Sequence, residues 1–233
     1  MSNRAQSGLA EGVDLRHASR LLAAVILPIG PFAVAGLRYV LPYFNASTPR
    51  ETAADVLMAD GRQSAVLWLG LIAAFTLLPG VLAVGRLTRR RAPRTTAAAL
   101  VLVVPGYLAL IYMLGSDLVL WTGANAGLDA SMLGRLAGTI HPTSDIAVAV
   151  FVLGHVIGTV LLGIALLRAR AVPVWAAIAT IVAQPLHFVA LVVLGSPTLD
   201  LLAWSANGVA FAAVAVAILR MPDDEWDLPP IRR

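Results

Sequence analysis

Six long apolar blocks constrain the fold of this chain more than any other feature of the sequence. They cover roughly residues 20–43, 64–87, 96–120, 146–167, 172–194 and 201–220. Each block is long enough to cross the ~30 Å hydrocarbon core of a bilayer, which takes about 20 helical residues. Only 13% of the 233 residues are charged, whereas a water-soluble domain has about a quarter. The sequence therefore predicts an all-α, polytopic membrane protein with six transmembrane helices.

Polar sequence at the two ends divides the chain into three parts. Residues 1–19 form a polar N-terminal segment, residues 20–220 hold all six blocks, and residues 221–233 form a polar tail. We interpret 20–220 as a single transmembrane domain. The first block is predicted to be a retained helix, because no small-residue cleavage site follows it. The tail, MPDDEWDLPPIRR, is predicted to be flexible.

The basic residues predict the orientation of the chain. All 17 are arginines, and the links between alternate pairs of blocks contain only Arg50, Arg62 and Arg135. Most of the other arginines lie in the remaining links and at both ends of the chain. Since cytoplasmic loops have the excess of basic residues, we predict a multi-pass protein of the cell inner (plasma) membrane with both termini in the cytoplasm. Topology explains the arginines, so no nucleic-acid partner is expected.

The absence of lysine and cysteine from the sequence excludes several chemistries. A retinal Schiff base and a pyridoxal anchor both need lysine, and thiolate metal sites and Fe–S clusters need cysteine. No phosphate-binding glycine-rich loop and no nucleophile elbow is present either. We predict neither a cofactor nor a metal site.

Two links between blocks show helix-start signals. Thr48 and Glu51 have capping-box spacing with Pro49 between them, which predicts a short helix from about 49 to 59. The segment after Asp129 is predicted to form another short helix.

The spans themselves also contain local signals. Pro28, Gly30 and Pro31 predict a kink in the first span. Ser144 and Asp145 are predicted to cap the fourth span, because short polar side chains accept hydrogen bonds from the first amides of a helix.

Two histidines lie at matching positions in the fourth and fifth blocks. His155 and His187 are each 16 residues from Ala171, the centre of a tight link. At ~1.5 Å per residue, both lie about 24 Å from that link. Thr180, Gln184 and His187 follow i, i+4, i+7 spacing on one helix face. Because polar side chains turn away from lipid, we predict that this face meets His155 on the neighbouring helix.

Gly154 and Gly158 flank His155 with the spacing that lets helices approach closely. Close packing is the simpler interpretation of this pair. The same face is the predicted surface for a homo- or hetero-oligomer.

Other polar residues are predicted at a similar depth in the remaining spans. Arg38, Asp117 and Asn207 each lie near the end of a span that the topology places outside the cytoplasm. Arg38 has two interpretations: it reaches the lipid headgroups, or it pairs with Asp117 or an anionic ligand. The sequence thus predicts a polar ligand-binding pocket in the extracytoplasmic half, lined by Arg38, Asp117, His155, Gln184, His187 and Asn207.

The histidine pair allows several interpretations. The two rings either fix helix contact by hydrogen bonding or line a ligand pocket. Haem ligation is disfavoured, because adjacent helices pack about 8–10 Å apart and leave little room for a macrocycle. Catalytic zinc needs three protein ligands, and the third would be Asp117 or His141, neither at a diagnostic spacing.

The segment GHVIGTVLLGIALLRARAVPVWAA resembles part of a bacterial six-helix membrane family known as a domain of unknown function. In that family a His-x-x-Gly helix enters a short basic turn followed by Pro-x-Trp. The matching residues here are His155, Gly158, Pro173 and Trp175. Val174 stands where the family has arginine, and the last helix lacks the family's glutamate. The resemblance implies six helices with both termini inside, and it implies no activity.

Three functions are compatible with the sequence. The first, which we favour, is a non-catalytic membrane protein whose pocket binds or passes a small molecule or lipid. The second is a membrane-embedded enzyme or redox subunit that uses His155 or His187. The third is an accessory or assembly subunit of a larger membrane complex.

Overall fold

The computed structural model describes residues 14–228, and these residues form helices and no strands. Six segments are long and apolar enough to cross a membrane: Arg16–Val40, Gly61–Thr88, Pro93–Asn125, Pro142–Ala169, Val174–Val193 and Pro197–Leu219. This confirms the predicted fold class and identifies a multi-pass membrane protein. The side of the membrane on which each terminus lies stays a prediction.

Ten α-helices make up the described part of the chain. They are α1 Arg16–Ile26, α2 Ile29–Val40, α3 Pro49–Met58, α4 Asp60–Thr88, α5 Pro93–Asn125, α6 Ala130–Gly138, α7 Pro142–Ala169, α8 Val174–Phe188, α9 Pro197–Leu219 and α10 Asp223–Trp226. A π-helical turn, Val189–Val193, extends α8.

The six spans form a closed ring. Each span packs on the next along the chain, from α2 and α4 through α5, α7 and α8 to α9, and α9 packs back on α2. We call one end of the ring the arginine-rich end. It contains the α4–α5 and α7–α8 links, the start of α1, and α10. We call the opposite end the cavity end. It contains α3 and α6, which pack on each other. A ring of six helices leaves room for a central space.

The closest contact in the ring is between α5 and α7, at glycines. A Cβ atom added to Gly154 would lie 2.6 Å from the Leu102 carbonyl oxygen, and one added to Gly158 would lie 2.7 Å from the Val103 nitrogen. Gly106 on α5 is equally close to the backbone of α7. The predicted close packing is thus present, and the partner helix belongs to the same chain. Association of copies through this face stays a prediction.

Local sequence signals explain several helix ends. The predicted break in the first span is present, since α1 ends at Ile26 and α2 begins at Ile29. The predicted helix α3 begins at Pro49, and the Thr48 hydroxyl accepts a hydrogen bond from the Glu51 amide at 3.2 Å. Helix α6 follows Asp129, whose carboxylate accepts from the Met132 amide at 2.8 Å.

The predicted cap of the fourth span is wrong. Helix α7 begins at Pro142, and His141 is its N-cap, with the ring Nδ1 accepting from the Thr143 amide at 3.3 Å. Proline suits the first helical position because its missing N–H has no partner there anyway. The helix therefore starts earlier than predicted, and Asp145 lies within its first turn, where a carboxylate complements the helix dipole.

The tail is also folded, contrary to the prediction of a flexible segment. Residues 223–226 form α10, and the Trp226 side chain is only 3% exposed. Its indole nitrogen donates to the Ser19 hydroxyl at 3.0 Å, and its ring lies 5.0 Å from the Arg86 guanidinium. An aromatic anchor and a cation–π contact therefore hold the tail on α1 and α4. Residues 1–13 and 229–233 lie outside the described residues.

Candidate functional site

A cavity of about 290 Å³ lies inside the ring, towards the cavity end. Side chains from α2, α4, α5, α7, α8 and α9 line it, so all six spans contribute. Most of the wall is apolar, from residues such as Leu37, Leu114, Phe151 and Leu191. The polar lining residues and the lining tryptophan are Arg38, Tyr43, Asp117, His155, His187 and Trp204.

A buried carboxylate joins two of these residues. Asp200 is fully buried, and its carboxylate accepts a hydrogen bond from Arg38 Nε at 2.8 Å. The other carboxylate oxygen is hydrogen-bonded to Nδ1 of His187. The opposite charges of Arg38 and Asp200 offset each other, which satisfies the requirement that buried charge be paired. The Arg38 guanidinium also lies 4.7 Å from the Phe44 ring.

Local backbone structure positions the members of this cluster. Ser196 caps α9, and this cap places Asp200 in the first turn of that helix. On α8, Pro185 has no N–H for the helical hydrogen bond, and the chain passes into the π-helical turn after Phe188. His187 lies between these two irregularities. Since π turns occur frequently at functional sites, this one is consistent with a special role for His187.

His155 has a defined protonation pattern. Its Nδ1 lies 2.6 Å from the Phe151 carbonyl oxygen, which only accepts hydrogen bonds, so Nδ1 carries the proton. The ring is 1% exposed, and its Nε2 has no hydrogen-bond partner among residues 14–228. In its neutral form the imidazole therefore has its lone pair at Nε2.

Aromatic contacts hold the two histidines together. The His155 and His187 ring centroids are 5.6 Å apart, with an angle of 54° between the planes. Trp204 lies 6.0 Å from the His155 ring and nearly parallel to it, and 5.4 Å from the His187 ring. Phe151 stacks on the His155 ring at 4.2 Å. The predicted meeting of the two rings is thus observed, within an aromatic cluster that fixes their orientation.

Asp117 belongs to a second polar group. The Tyr43 hydroxyl donates to its carboxylate, and the Gln63 amide donates to its backbone oxygen at 3.2 Å. Burial raises the pKa of Tyr43 well above its usual value, and the charge of Asp117 raises it further. Tyr43 therefore remains a neutral donor. Gln63 is fully buried.

Gln184 and Asn207 lie in the core but do not line the cavity. Both side chains are fully buried. The amide oxygen and nitrogen of each have no hydrogen-bond partner in the described part of the chain. Such groups cost free energy to bury, and they mark this part of the interior as polar.

The structure thus brings together four of the six predicted pocket residues at one cavity: Arg38, Asp117, His155 and His187. Of the interpretations of Arg38, pairing with Asp117 is not what the structure has: its guanidinium forms an ion pair with Asp200. The sequence did contain a signal for this carboxylate, because Asp200, Trp204 and Asn207 follow i, i+4, i+7 spacing. Tyr43 and Gln63 had no comparable signal, since loop geometry and a distant helix bring them to Asp117.

Within residues 14–228, no group of three or more His, Cys, Asp or Glu side chains is arranged to hold a metal ion. The polar side chains at this site support hydrogen bonding and proton transfer. His155 and His187 offer ring nitrogens, and Arg38 and Trp204 offer donors.

The ring of spans and its interior cavity define the class: a multi-pass, all-helical membrane protein with a lined cavity inside the bundle. Against known proteins, no family model, no curated protein and no solved structure matches this chain. The resemblance to the six-helix family therefore rests on the short motif around His155 and Trp175 alone.

Proposed function

We propose that this protein binds a small, lipid-soluble molecule with an uncharged polar head in the cavity between its spans. The membrane would be the inner (plasma) membrane of a bacterium, with both termini in the cytoplasm and the cavity in the extracytoplasmic half. One observation supports the proposal above all. Three side chains that line an apolar cavity each have a buried nitrogen without a hydrogen-bond partner in the described chain: Arg38 Nη2, His155 Nε2 and Trp204 Nε1.

We expect these nitrogens to select the head of the ligand once small side-chain shifts expose them to the cavity. Leaving a buried donor or acceptor unpaired costs about 1–3 kcal/mol, so a ligand that pairs with them gains affinity. Arg38 and Trp204 donate, whereas His155 Nε2 accepts. A hydroxyl group both donates and accepts, and it fits this set. Because Asp200 offsets the charge of Arg38, a neutral head is favoured over an ion.

The size and lining of the cavity specify the rest of the ligand. Ligand pockets span about 300–1,000 Å³, and a volume of about 290 Å³ is at the small end of that range. A single ring with a short alkyl chain suits a space of this size. The apolar walls favour a molecule that partitions from the bilayer.

The test compares two probe molecules in lipid nanodiscs. We expect 4-pentylphenol to bind the purified protein about tenfold more tightly than pentylbenzene, because one good hydrogen bond is worth about 0.5–1.5 kcal/mol. Binding is followed through tryptophan fluorescence, with protein-free nanodiscs as the reference for partitioning. Equal binding of the two probes would contradict the proposal.

Two substitutions on one helix provide the matched control. Val152 lines the cavity, whereas its neighbour Leu153 is 59% exposed on the outside of the bundle. Val152→Phe fills the cavity and is expected to abolish phenol binding, and Leu153→Phe is expected to leave it unchanged. If both variants bind like the wild type, the probe is not in this cavity.

A membrane enzyme is the second candidate, and one contact favours it. Asp200 accepts from His187 Nδ1, which leaves Nε2 of that ring as a base in a fixed orientation. Incubating the protein with a total bacterial lipid extract, and following masses by mass spectrometry, tests this candidate. A product formed by the wild type and not by His187→Gln would favour catalysis over binding alone.

A further inference from the structure

A second cavity, of about 420 Å³, lies at the arginine-rich end. Three separate parts of the chain meet there: the α4–α5 link, the α7–α8 link and the segment between α9 and α10. Five arginines and one carboxylate line it: Arg86, Arg90, Arg91, Arg170, Arg220 and Glu225. Residues far apart in sequence thus bring positive charge to a single concave surface.

Most of this charge is not paired with a carboxylate in the described part of the chain. Arg86 pairs with Asp227 at 3.0 Å, and Arg91 reaches the Ala169 carbonyl at 3.4 Å. Arg90, Arg170 and Arg220 make no ion pair and no side-chain hydrogen bond with any residue between 14 and 228. Three guanidinium groups are therefore available to an anion.

The backbone of Arg170 is unusual in a way that favours a role for its side chain. The residue has φ +50° and is the only non-glycine residue of the described chain with positive φ. This left-handed conformation ends α7, at a position where glycine is preferred and other residues cost about 1 kcal/mol. The described structure provides no contact of the guanidinium that would offset this cost.

An apolar groove of about 710 Å³ continues from this basic cavity along the surface of the bundle. The two share Arg170, Ala171, Ala217 and Arg220. From there the groove runs between α8 and α9 over small side chains: Val209, Ala212, Ala213 and Val216. Trp175, which is 53% exposed, lines the same groove. Tryptophan is enriched where a membrane surface meets water.

We infer that this surface is a binding site for one anionic phospholipid. The phosphate binds Arg90, Arg170 and Arg220, because one guanidinium group can donate two parallel hydrogen bonds to the oxygens of a phosphate. One acyl chain lies in the groove over the small residues of α9. Basic pockets between spans bind anionic lipid headgroups in this way. The inference is independent of the ligand proposed for the central cavity.

Lipid exchange followed by native mass spectrometry tests the site. The full-length protein, purified in a neutral detergent, is titrated with phosphatidylglycerol and separately with phosphatidylcholine. The double variant Arg170→Gly/Arg220→Gln removes two contacts, and glycine suits the backbone at 170. We expect about 25-fold weaker phosphatidylglycerol binding, because each arginine near an anionic lipid is worth about fivefold.

A second double variant, which removes the same number of positive charges, provides the control. Arg89 and Arg94 are exposed at the same end of the bundle, and neither lines the basic cavity. Arg89→Gln/Arg94→Gln is expected to weaken binding less than threefold. If it weakens binding as much as Arg170→Gly/Arg220→Gln, attraction by net charge explains the binding and the site is refuted. Equal binding of phosphatidylcholine by the wild type also refutes it.

The groove distinguishes a lipid from a free anion. Ala213→Leu fills the groove without changing any charge, and it is expected to weaken phosphatidylglycerol binding about tenfold. Inorganic phosphate at millimolar concentration is expected to compete poorly. If phosphate displaces the lipid fully and Ala213→Leu has no effect, the cavity binds small anions and the phospholipid site is wrong.

Discussion

The two ends of the helix ring differ in where their charged side chains lie. These side chains are inside the bundle at the cavity end and outside it at the arginine-rich end. At the cavity end, Asp200 is fully buried between the spans and pairs with Arg38 inside the bundle. At the arginine-rich end the charged side chains lie around the outside of the ring. There, Arg20 pairs with Asp223 of the tail at 2.9 Å, and the interior is filled by apolar side chains such as Val103 and Leu166, both fully buried.

This difference shows how one bundle combines stability with a cavity. Dense apolar packing holds the spans together towards the arginine-rich end. Close glycine contacts between α5 and α7 begin at the level of His155. The cavity end contains polar nitrogens that have no partner among residues 14–228, and an unfilled volume; both cost stability. The cavity and its buried ion pair thus lie at one end of the ring, and apolar side chains fill the interior at the other.

Removing the buried carboxylate is expected to have the largest effect. Asp200→Ala leaves the Arg38 charge without its partner in a largely buried position, and breaking such a pair costs about 3–5 kcal/mol. It also removes the acceptor of His187 Nδ1. We expect this loss in the free energy of unfolding, measured by denaturant titration in detergent micelles.

Replacing both partners separates the ion pair from the packing around it. Arg38→Met/Asp200→Leu removes both charges and keeps most of the volume, and it is expected to recover most of the stability lost in Asp200→Ala. A double variant as unstable as the single one would show that the pair matters through shape and not through charge.

Much of the fold follows from the sequence, because lipid leaves the backbone few alternatives to helices. The six spans, the break near Pro28 and the cap at Thr48 all have local signals, and the structure contains each of them. The tail failed as a prediction for a different reason. Trp226 packs on residues near the start of the chain, including Ser19, and no local pattern reports a contact over 207 positions.

The candidate site was only half predictable. Equal distance from one tight link placed His155 and His187 at the same depth, and this is a property of the sequence. The partner of Arg38 was missed, because the predicted sixth span begins at residue 201 and leaves Asp200 outside it. The contact of Tyr43 with Asp117 depends on how a loop folds over the cavity, which hydrophobic periodicity does not report.

Glycine substitutions in α5 test where the dense packing begins. Gly106 packs against the backbone of α7 at His155, and a Cβ atom there would be 2.8 Å from the His155 backbone nitrogen. Gly106→Ala would force α5 and α7 apart, and we expect a loss of about 1–3 kcal/mol in the free energy of unfolding. Thermal unfolding in detergent measures it.

Gly115 provides the control on the same helix, because a Cβ atom there meets nothing within 4 Å. Gly115→Ala is expected to be neutral or to stabilise by up to about 1 kcal/mol. If the two variants behave alike, the α5–α7 contact is looser than described.

Trp226 tests whether the arginine-rich end depends on the tail. Trp226→Ala removes the indole contact with Arg86, the hydrogen bond to Ser19 and the burial of a side chain that is only 3% exposed. We expect a loss of about 1–3 kcal/mol. The spans remain intact, so the main effect is release of α10, which limited proteolysis detects. Leu228→Ala is the control, since that side chain is 73% exposed. Unchanged protease resistance in Trp226→Ala would mean that other contacts dock the tail.

The smallest effect concerns an exposed carboxylate at the start of α1. The Arg16 side chain donates hydrogen bonds to Asp14, as does the Arg16 amide, and they lower the pKa of Asp14 from 3.8 to about 2. A lowered pKa means that the contact is fully present above pH 3.8 and is lost as the pH falls towards 2. A ¹³C NMR titration of the carboxyl group measures this midpoint, and Arg16→Gln is expected to return it towards 3.8. Because the pair is exposed, 0.5 M salt is also expected to raise the midpoint.

The buried pair of Arg38 and Asp200 is screened much less than this exposed pair. The same salt is therefore expected to leave the stability difference between wild type and Asp200→Ala unchanged. Equal salt sensitivity of the two pairs would contradict the contrast between a charged exterior at one end and a charged interior at the other.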